Sequence, residues 1–195
     1  MLMAACTDTG KPVTGTPKTD PDSGAKQTDN RPVVRLHGAY ATSTEGKSYQ
    51  LQNLFDADAT TGWRCRNGAG PDEGVMLYFA APSKIQSIQL QALAGSVDVP
   101  VTVYENGKSG PKGNLGQKIT LSGQPLRSLY LRFGSPQSAN TTKRTEADMK
   151  LAVETFPENG FVGLQHLQLF DAQGAELRIV APLRIEGDAR ATSTL

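Results

Sequence analysis

The chain has 195 residues, of which 37% are hydrophobic, and this suits one domain with a polar extension. Twenty Lys and Arg against 19 Asp and Glu give a formal net charge of +1. This balance provides neither a basic field for nucleic acid nor an acidic field for cations, and two cysteines are too few for a disulfide framework.

Small residues precede Cys6 in the segment Leu2–Cys6, and a polar tract follows it. The segment resembles the lipobox of bacterial lipoproteins, in which the cysteine becomes the lipidated first residue of the mature chain. Only five residues precede Cys6, whereas a signal peptide needs an apolar stretch of about 7–15 residues. Either the true start lies upstream or the match is accidental. The resemblance implies a lipid anchor at Cys6 in the bacterial cell envelope, in the outer membrane or on the cell surface.

The second cysteine, Cys65, has two readings that depend on Cys6. If Cys6 carries lipid, Cys65 has no intramolecular partner and is expected to be a buried small hydrophobe. If Cys6 is free, a Cys6–Cys65 disulfide is the alternative in an oxidising compartment.

Residues 7–31 form a polar segment in which Val13 is the only large apolar residue. Such a segment cannot bury enough surface to offset the entropy lost on ordering. We therefore expect a disordered, flexible tether between residues 1–6, the remnant of a lipoprotein signal, and the folded part. A disordered terminus without a role is the alternative.

From Pro32 onward, hydrophobic and polar residues alternate with a period of two. The alternating segments are 75–79, 88–92, 97–103, 129–133, 149–153, 167–169 and 177–179. One apolar and one wet face per strand is typical of antiparallel sheets packed as a sandwich. Pro100 within a segment predicts an edge strand or a bulge. The sequence therefore predicts an all-β fold, a jelly roll of about eight strands over residues 32–182.

The segment 49–63 carries the most specific motif of the chain. Its members are Asn53, Asp56, Asp58, Thr61 and Trp63. It resembles the discoidin family, also called coagulation-factor C-type or galactose-binding-like domains, which carry Asn-x-x-Asp-Gly-Asp-x-x-Thr-x-Trp after an Ala-Thr/Ser-rich strand. Residues 41–44 fit that strand, while Phe55 is extra and Ala57 replaces the usual Gly. Segments 68–79 and 150–170 resemble the NADase-type glycan-binding subgroup, whose name implies no NADase activity here.

The resemblance implies a possible calcium site, because in many discoidin-like carbohydrate modules this turn wraps Ca²⁺. Asp56, Asp58 and Thr61 would then be ligands through oxygen atoms, which suit a hard cation. A further acidic ligand usually comes from the last strand, where this chain has His166, a poorer partner for Ca²⁺. Alternatively, Asp56 and Asp58 cap the turn by accepting backbone hydrogen bonds. A melt with EDTA and then Ca²⁺ separates the two, because a metal bound only by the folded state raises the midpoint.

Arg64, Arg66 and Asn67 follow in a Gly-rich loop and are the candidate ligand-binding residues, able to hydrogen-bond a sugar, an anion or a partner protein. Solvated loop charges are the alternative. We expect Trp63 to be a core anchor. The stretches 105–114 and 135–146 are predicted to be long polar loops, and their lack of aromatic residues weakens a sugar-stacking site.

The sequence offers little chemistry for catalysis. The two histidines, His37 and His166, lie in predicted strands, and the sequence contains no Gly-x-Ser-x-Gly elbow and no phosphate-binding loop. The chain is therefore predicted not to be an enzyme.

A short repeat near the C-terminus indicates a tandem arrangement. Pro32–Gly38 followed by Ala41–Thr44 is echoed by Pro182–Gly187 followed by Ala191–Thr194. Residues 183–195 are therefore predicted to begin a second copy of the domain. Chance similarity of two edge strands is the alternative.

Together these features predict a non-catalytic binding module on a lipid-anchored envelope protein. It would recognise glycan or a surface protein through loops at one end of the sandwich. No nucleic acid is expected as a partner, and the membrane is reached only through the lipid. The alternative is a structural spacer, or an accessory domain of a larger protein whose catalytic part lies beyond residue 195.

Overall fold

The computed structural model describes residues 29–56, 58, 60–66, 72–135, 160–180 and 184–187. Strands dominate these residues, and a single 3₁₀ helix is found among them, Leu51–Leu54. The strands are β1 (Val33–Ala41), β2 (Trp63–Arg64), β3 (Gly74–Lys84), β4 (Ser87–Ala92), β5 (Pro100–Glu105), β6 (Lys108–Asn114), β7 (Lys118–Thr120), β8 (Pro125–Phe133), β9 (Gly163–Phe170), β10 (Glu176–Val180) and β11 (Arg184–Glu186). In this part of the chain no helix is long and apolar enough to cross a membrane.

The strands form two layers that share β1. The first layer has the order β6-β5-β8-β3-β1, with antiparallel neighbours, and β11 pairs in parallel with β1. The second layer has the order β10-β9-β4-β7, and β2 pairs with β9. Strand β1 joins the layers because residues 33–35 pair with β10 while residues 36–41 pair with β3. The predicted all-β sandwich is confirmed.

Trp63 connects the two layers inside the core. Its side chain is completely buried, and its ring stacks on Phe133 of β8 with a centroid distance of 5.9 Å. The indole Nε1 donates a hydrogen bond to the Ser43 carbonyl oxygen at 3.1 Å, so its one polar group is satisfied. Burial of a large apolar side chain contributes roughly 1.5–3 kcal/mol. The prediction that Trp63 is a core anchor is confirmed.

The described residues contain eleven strands, more than the eight or so predicted, because the shortest strands carry no readable alternation. β2, β7 and β11 have two or three residues each. The predicted polar loop 105–114 is wrong: most of it is β6, an edge strand rich in Lys, Gly and Pro. Such a composition protects an edge against pairing with another chain. The alternating segment 149–153 lies outside the described residues.

The expectation that Pro100 lies in an edge strand is wrong, and the register irregularity of β5 lies between Thr102 and Tyr104 rather than at Pro100. β5 lies between β6 and β8, and Pro100 is its first residue. A proline is tolerated at the start of an internal strand, where its missing N–H interrupts no continuous ladder.

The C-terminal strand extends the sheet beyond residue 182. Arg184 and Glu186 pair in parallel with Gly38 and Tyr40 of β1, and Ile185 packs against the core. Thus 184–186 lies beside the strand that it resembles in sequence. The predicted second copy over the rest of 183–195, the Cys6 lipidation site and residues 7–28 of the tether lie outside the described residues and stay predictions.

Candidate functional site

The motif turn is held together by its own polar side chains. Asp56 accepts hydrogen bonds from the backbone N–H of Asp58 at 2.9 Å and from the Thr61 hydroxyl at 2.9 Å. Asp58 accepts from the N–H and the hydroxyl of Thr60, at 2.8 and 2.7 Å, and these bonds lower the pKa of Asp58. Asn53 donates to the carbonyl of Gly62 at 3.1 Å and closes the turn. These bonds match the alternative in which the aspartates organise the turn.

The described side chains of this turn, Asp56, Asp58 and Thr61, are oxygen donors of the kind a hard cation takes, but they are fewer than the 6–8 ligands that Ca²⁺ needs. The turn lies beside β9, since a Cβ on Gly62 would stand 2.6 Å from the Leu164 carbonyl oxygen. The next residues of β9 are Gln165, whose Oε1 accepts from Gln91 at 2.9 Å, and His166. Within the described ranges no three His, Cys, Asp or Glu side chains cluster so that they could hold a metal. Calcium binding by Asp56, Asp58 and Thr61 stays a prediction.

Of the candidate ligand-binding residues from the sequence, Arg64 ends strand β2 and Arg66 follows it, and both have other contacts. The Arg64 guanidinium carbon lies 3.9 Å from the ring centroid of Phe161 and 5.3 Å from that of Tyr49, distances at which a cation is attracted to a ring face. Its buried Nε has no hydrogen-bond partner among the described residues. The backbone N–H of Arg66 donates to the Ser43 hydroxyl at 3.1 Å, and Asn67 lies outside the described residues.

A largely apolar groove of about 540 Å³ lies on the outer face of the first layer. We call it the tyrosine groove. Its lining residues are His37, Tyr40, Ala41, Thr42, Gly74, Met76, Tyr78 and Tyr130. Its volume is typical of pockets that hold small ligands.

Strand register brings the groove side chains into a row. Met76 of β3 lies opposite Tyr40 of β1 on one side and opposite Tyr130 of β8 on the other. Tyr130 in turn lies opposite Tyr104 of β5, with ring centroids 5.7 Å apart. Four adjacent strands therefore contribute one side chain each, and we call Tyr40, Met76, Tyr130 and Tyr104 the aromatic row.

Two glycines let the tyrosine rings lie close to the sheet. A Cβ on Gly38 would come within 2.9 Å of Tyr40 Cε2, and a Cβ on Gly74 within 2.5 Å of Tyr130 Cε2. Both rings therefore cover backbone that has no side chain. Tyr78, 42% exposed, is nearly perpendicular to the Tyr40 ring at 88°, with centroids 5.5 Å apart. The groove thus has a floor of low-lying rings and an upright aromatic wall.

Charged residues beside the groove are paired with each other. Arg132 Nε donates to Asp72 at 2.7 Å, and its Nη1 donates to the Tyr104 hydroxyl oxygen at 3.3 Å. The bonds to Tyr104 and Asp72 raise the pKa of Arg132. Arg184 Nε donates to Glu186 at 2.7 Å on β11. The aromatic row is therefore flanked by ion pairs.

Sequence reasoning missed this groove because it looked for aromatic residues in loops. The three tyrosines of the groove and Tyr104 beside it lie on strands, at positions where the alternation points to solvent. The signal that could have predicted the groove is the presence of large aromatic residues at solvent-facing positions of several strands.

Comparison with known proteins supports the fold. The family model described as the XRCC1 N terminal domain matches residues 31–117. The carbohydrate-binding module CBM32 of AlyQ, in complex with 4,5-unsaturated mannuronic acid, is similar in structure at a TM-score of 0.50 and 11% identity, covering 70% of this chain and 96% of that one. The family 32 module of C. perfringens NanJ, in complex with galactose, gives 0.49 and 14% identity, covering 67% and 90%. No curated protein matches the sequence.

The similarity to the AlyQ module, together with the sandwich, shows a galactose-binding-like fold, and the family model matches less than half of the chain. The resemblance of segment 49–63 to such domains is confirmed at this level.

Proposed function

We propose that this domain is a non-catalytic carbohydrate-binding module that holds its sugar in the tyrosine groove. The observation that carries the proposal is the floor of tyrosine rings lying over Gly38 and Gly74. A tyrosine offers an apolar ring face for the apolar side of a sugar and a hydroxyl for hydrogen bonding. His37 lines the groove and adds a polar group that can fix orientation, whereas the Thr42 hydroxyl is already bonded to Glu73 and to the Gly74 N–H.

Fold analogy adds support from a second direction. The AlyQ module has a sugar acid bound in its structure. This support is an analogy, because one fold hosts many functions. Membership of the NADase-type glycan-binding subgroup remains part of the proposal and rests on segments 68–79 and 150–170.

We also propose that the domain is not catalytic, because its histidines lie apart from each other and Cys65 is buried. His37 is on β1 in the first layer and His166 is on β9 in the second, so the two do not share a site. Cys65 is completely buried. A nucleophile–base pair needs hydrogen-bond reach between its members.

Substitution at the two competing sites tests the proposal. Tyr130→Ala removes a floor ring, and Arg66→Ala changes the loop predicted from Arg64, Arg66 and Asn67. We expect Tyr130→Ala to weaken glycan binding about ten-fold, which corresponds to about 1.4 kcal/mol, and Arg66→Ala to leave it unchanged. The measurement is affinity electrophoresis in gels containing soluble polysaccharides, with thermal melts to confirm folding.

If Arg66→Ala weakens glycan binding and Tyr130→Ala does not, the binding site lies in the loop that contains Arg66. If no polysaccharide retards the unsubstituted protein and a glycan array shows no binding, a carbohydrate ligand is rejected. A surface protein partner or the spacer role is then favoured.

We also propose, from the resemblance around Cys6, that the protein is lipid-anchored in the bacterial envelope. Cys6→Ala should then release it from membranes on fractionation. An unchanged membrane fraction would refute lipidation at Cys6.

A further inference from the structure

We infer that an uncharged glycan chain binds along the aromatic row, from the tyrosine groove across the strands to Tyr104 beside it, rather than one terminal sugar in the groove. This inference rests on the proposed carbohydrate function and names the class of ligand.

The direction of the chain follows from the aromatic row. Its four members come from β1, β3, β8 and β5, which are adjacent strands. Neighbouring strands lie about 4.8 Å apart, so three spacings give a row of roughly 14 Å. One sugar covers one ring, whereas a chain of several sugars can contact Tyr40, Tyr130 and Tyr104 together.

Beyond Tyr104, the next position in line with the aromatic row has a small side chain. Tyr104 lies opposite Ser109 of β6, which is the edge strand of this layer. A chain lying over Tyr104 therefore meets an exposed serine next, which leaves it room to continue. Tyr78 stands at the side of the row, against the Tyr40 ring, and confines the chain laterally.

The charge pattern favours a neutral chain. From Tyr40 through Met76, Tyr130 and Tyr104 to Ser109 the row has no Asp, Glu, Lys or Arg. Two of the cations near it, Arg132 and Arg184, already bind the carboxylates of Asp72 and Glu186, while Lys112 lies opposite Thr102 of β5. An acidic chain would have to displace these carboxylates or lie beside them, which like-charge repulsion disfavours.

Binding of oligosaccharides of graded length tests the inference. The probes are neutral β-1,4-linked galacto-, gluco- and manno-oligosaccharides from one to six units, and oligomannuronates of the same lengths, titrated by calorimetry. We expect affinity for at least one neutral series to rise about ten-fold from one to four units, equivalent to about 1.4 kcal/mol, and the acidic series to bind more weakly.

Two variants link the length dependence to the row. Tyr104→Ala should flatten the rise with length, because it shortens the row at one end. Gly38→Ala keeps every tyrosine but forces the Tyr40 ring to move, since its Cβ would stand 2.9 Å from that ring. It should weaken binding of four-unit chains without lowering the melting temperature.

The outcomes separate the inference from the proposed function. Equal affinity for one and four neutral units, or tighter binding of oligomannuronates, would overturn the inference and leave a carbohydrate module. Wild-type length dependence in Tyr104→Ala would also overturn it. Failure of every probe, together with an empty glycan array, would overturn the proposed function itself.

Discussion

Cys65 is a single residue whose chemistry is set entirely by its surroundings. Its side chain is completely buried and its thiol is free. Burial raises the pKa of this thiol from 9.0 to about 11, although the N–H of Val162 donates to Sγ at 3.2 Å and opposes the shift. The thiolate is the reactive form of cysteine, so we expect Cys65 to be unreactive at neutral pH. The expectation of a buried small hydrophobe is confirmed.

Thiol labelling tests this at the residue scale. In a Cys6→Ala background, iodoacetamide at pH 8 should label Cys65 in guanidinium chloride but not in the native protein. Rapid labelling of the native protein would contradict the enclosed thiol.

The same pKa shift predicts a pH dependence of stability. Between about pH 9 and 11 the folded state keeps the Cys65 proton that the unfolded state has lost. The free energy of unfolding should therefore fall as pH rises through this interval. Cys65→Ala should lack this part of the decrease, which urea titrations at pH 8 and pH 10.5 can measure. Identical pH dependence in both proteins would contradict the raised pKa.

At the scale of elements, the β5–β6 turn fixes three strands. Asn106 and Gly107 have φ of 51° and 79°, as a two-residue hairpin turn of type I′ requires. The Asn106 side chain also reaches β8, where Oδ1 accepts from the N–H groups of Arg127 at 2.7 Å and Ser128 at 3.2 Å. Its Nδ2 donates to the Pro125 carbonyl at 3.1 Å. One residue thus connects β5, β6 and β8.

Two substitutions separate the contributions of Asn106. Asn106→Gly keeps the left-handed conformation but loses the bonds to β8, and we expect a cost of about 1 kcal/mol because these bonds are exposed. Asn106→Ala also strains the backbone, which adds about 1–2 kcal/mol. Urea unfolding measures both. Equal stability of the two variants would show that the backbone conformation contributes nothing.

Local signals explain which elements could be predicted. Strands such as β3 and β8 alternate clearly and Trp63 sits in a recognisable motif, so the sandwich and its anchor follow from the sequence. β6 is an edge strand of Lys, Gly and Pro, and it shows no alternation of apolar and polar residues. β11 is a strand because it pairs with β1, and its three residues carry no signal of their own. The aromatic row depends on the order of four strands that are not consecutive in the chain, and no local pattern contains that order.

At the scale of the whole molecule, β11 covers part of the edge of β1 that the first layer would otherwise leave unpaired. It pairs with β1 at residues 38–40 and adds Ile185 to the apolar contacts. A chain ending at residue 182 should therefore fold but unfold at a lower temperature, with a loss of about 1–3 kcal/mol from strand bonds and buried surface. A chain ending at residue 187 keeps β11 and is the matched control. Thermal melts that coincide for the two chains would contradict a contribution from β11.

The position of β1 also governs the order in which the domain can be completed during synthesis. β1 leaves the ribosome first among the strands, yet two of its partners, β10 and β11, are made last. At about 5–20 residues per second, one edge of the nascent β1 waits for many seconds. Pairing so distant along the chain also slows folding. The domain is thus expected to mature only after its C-terminal strands emerge, and a nascent chain stalled before Glu176 should remain sensitive to protease.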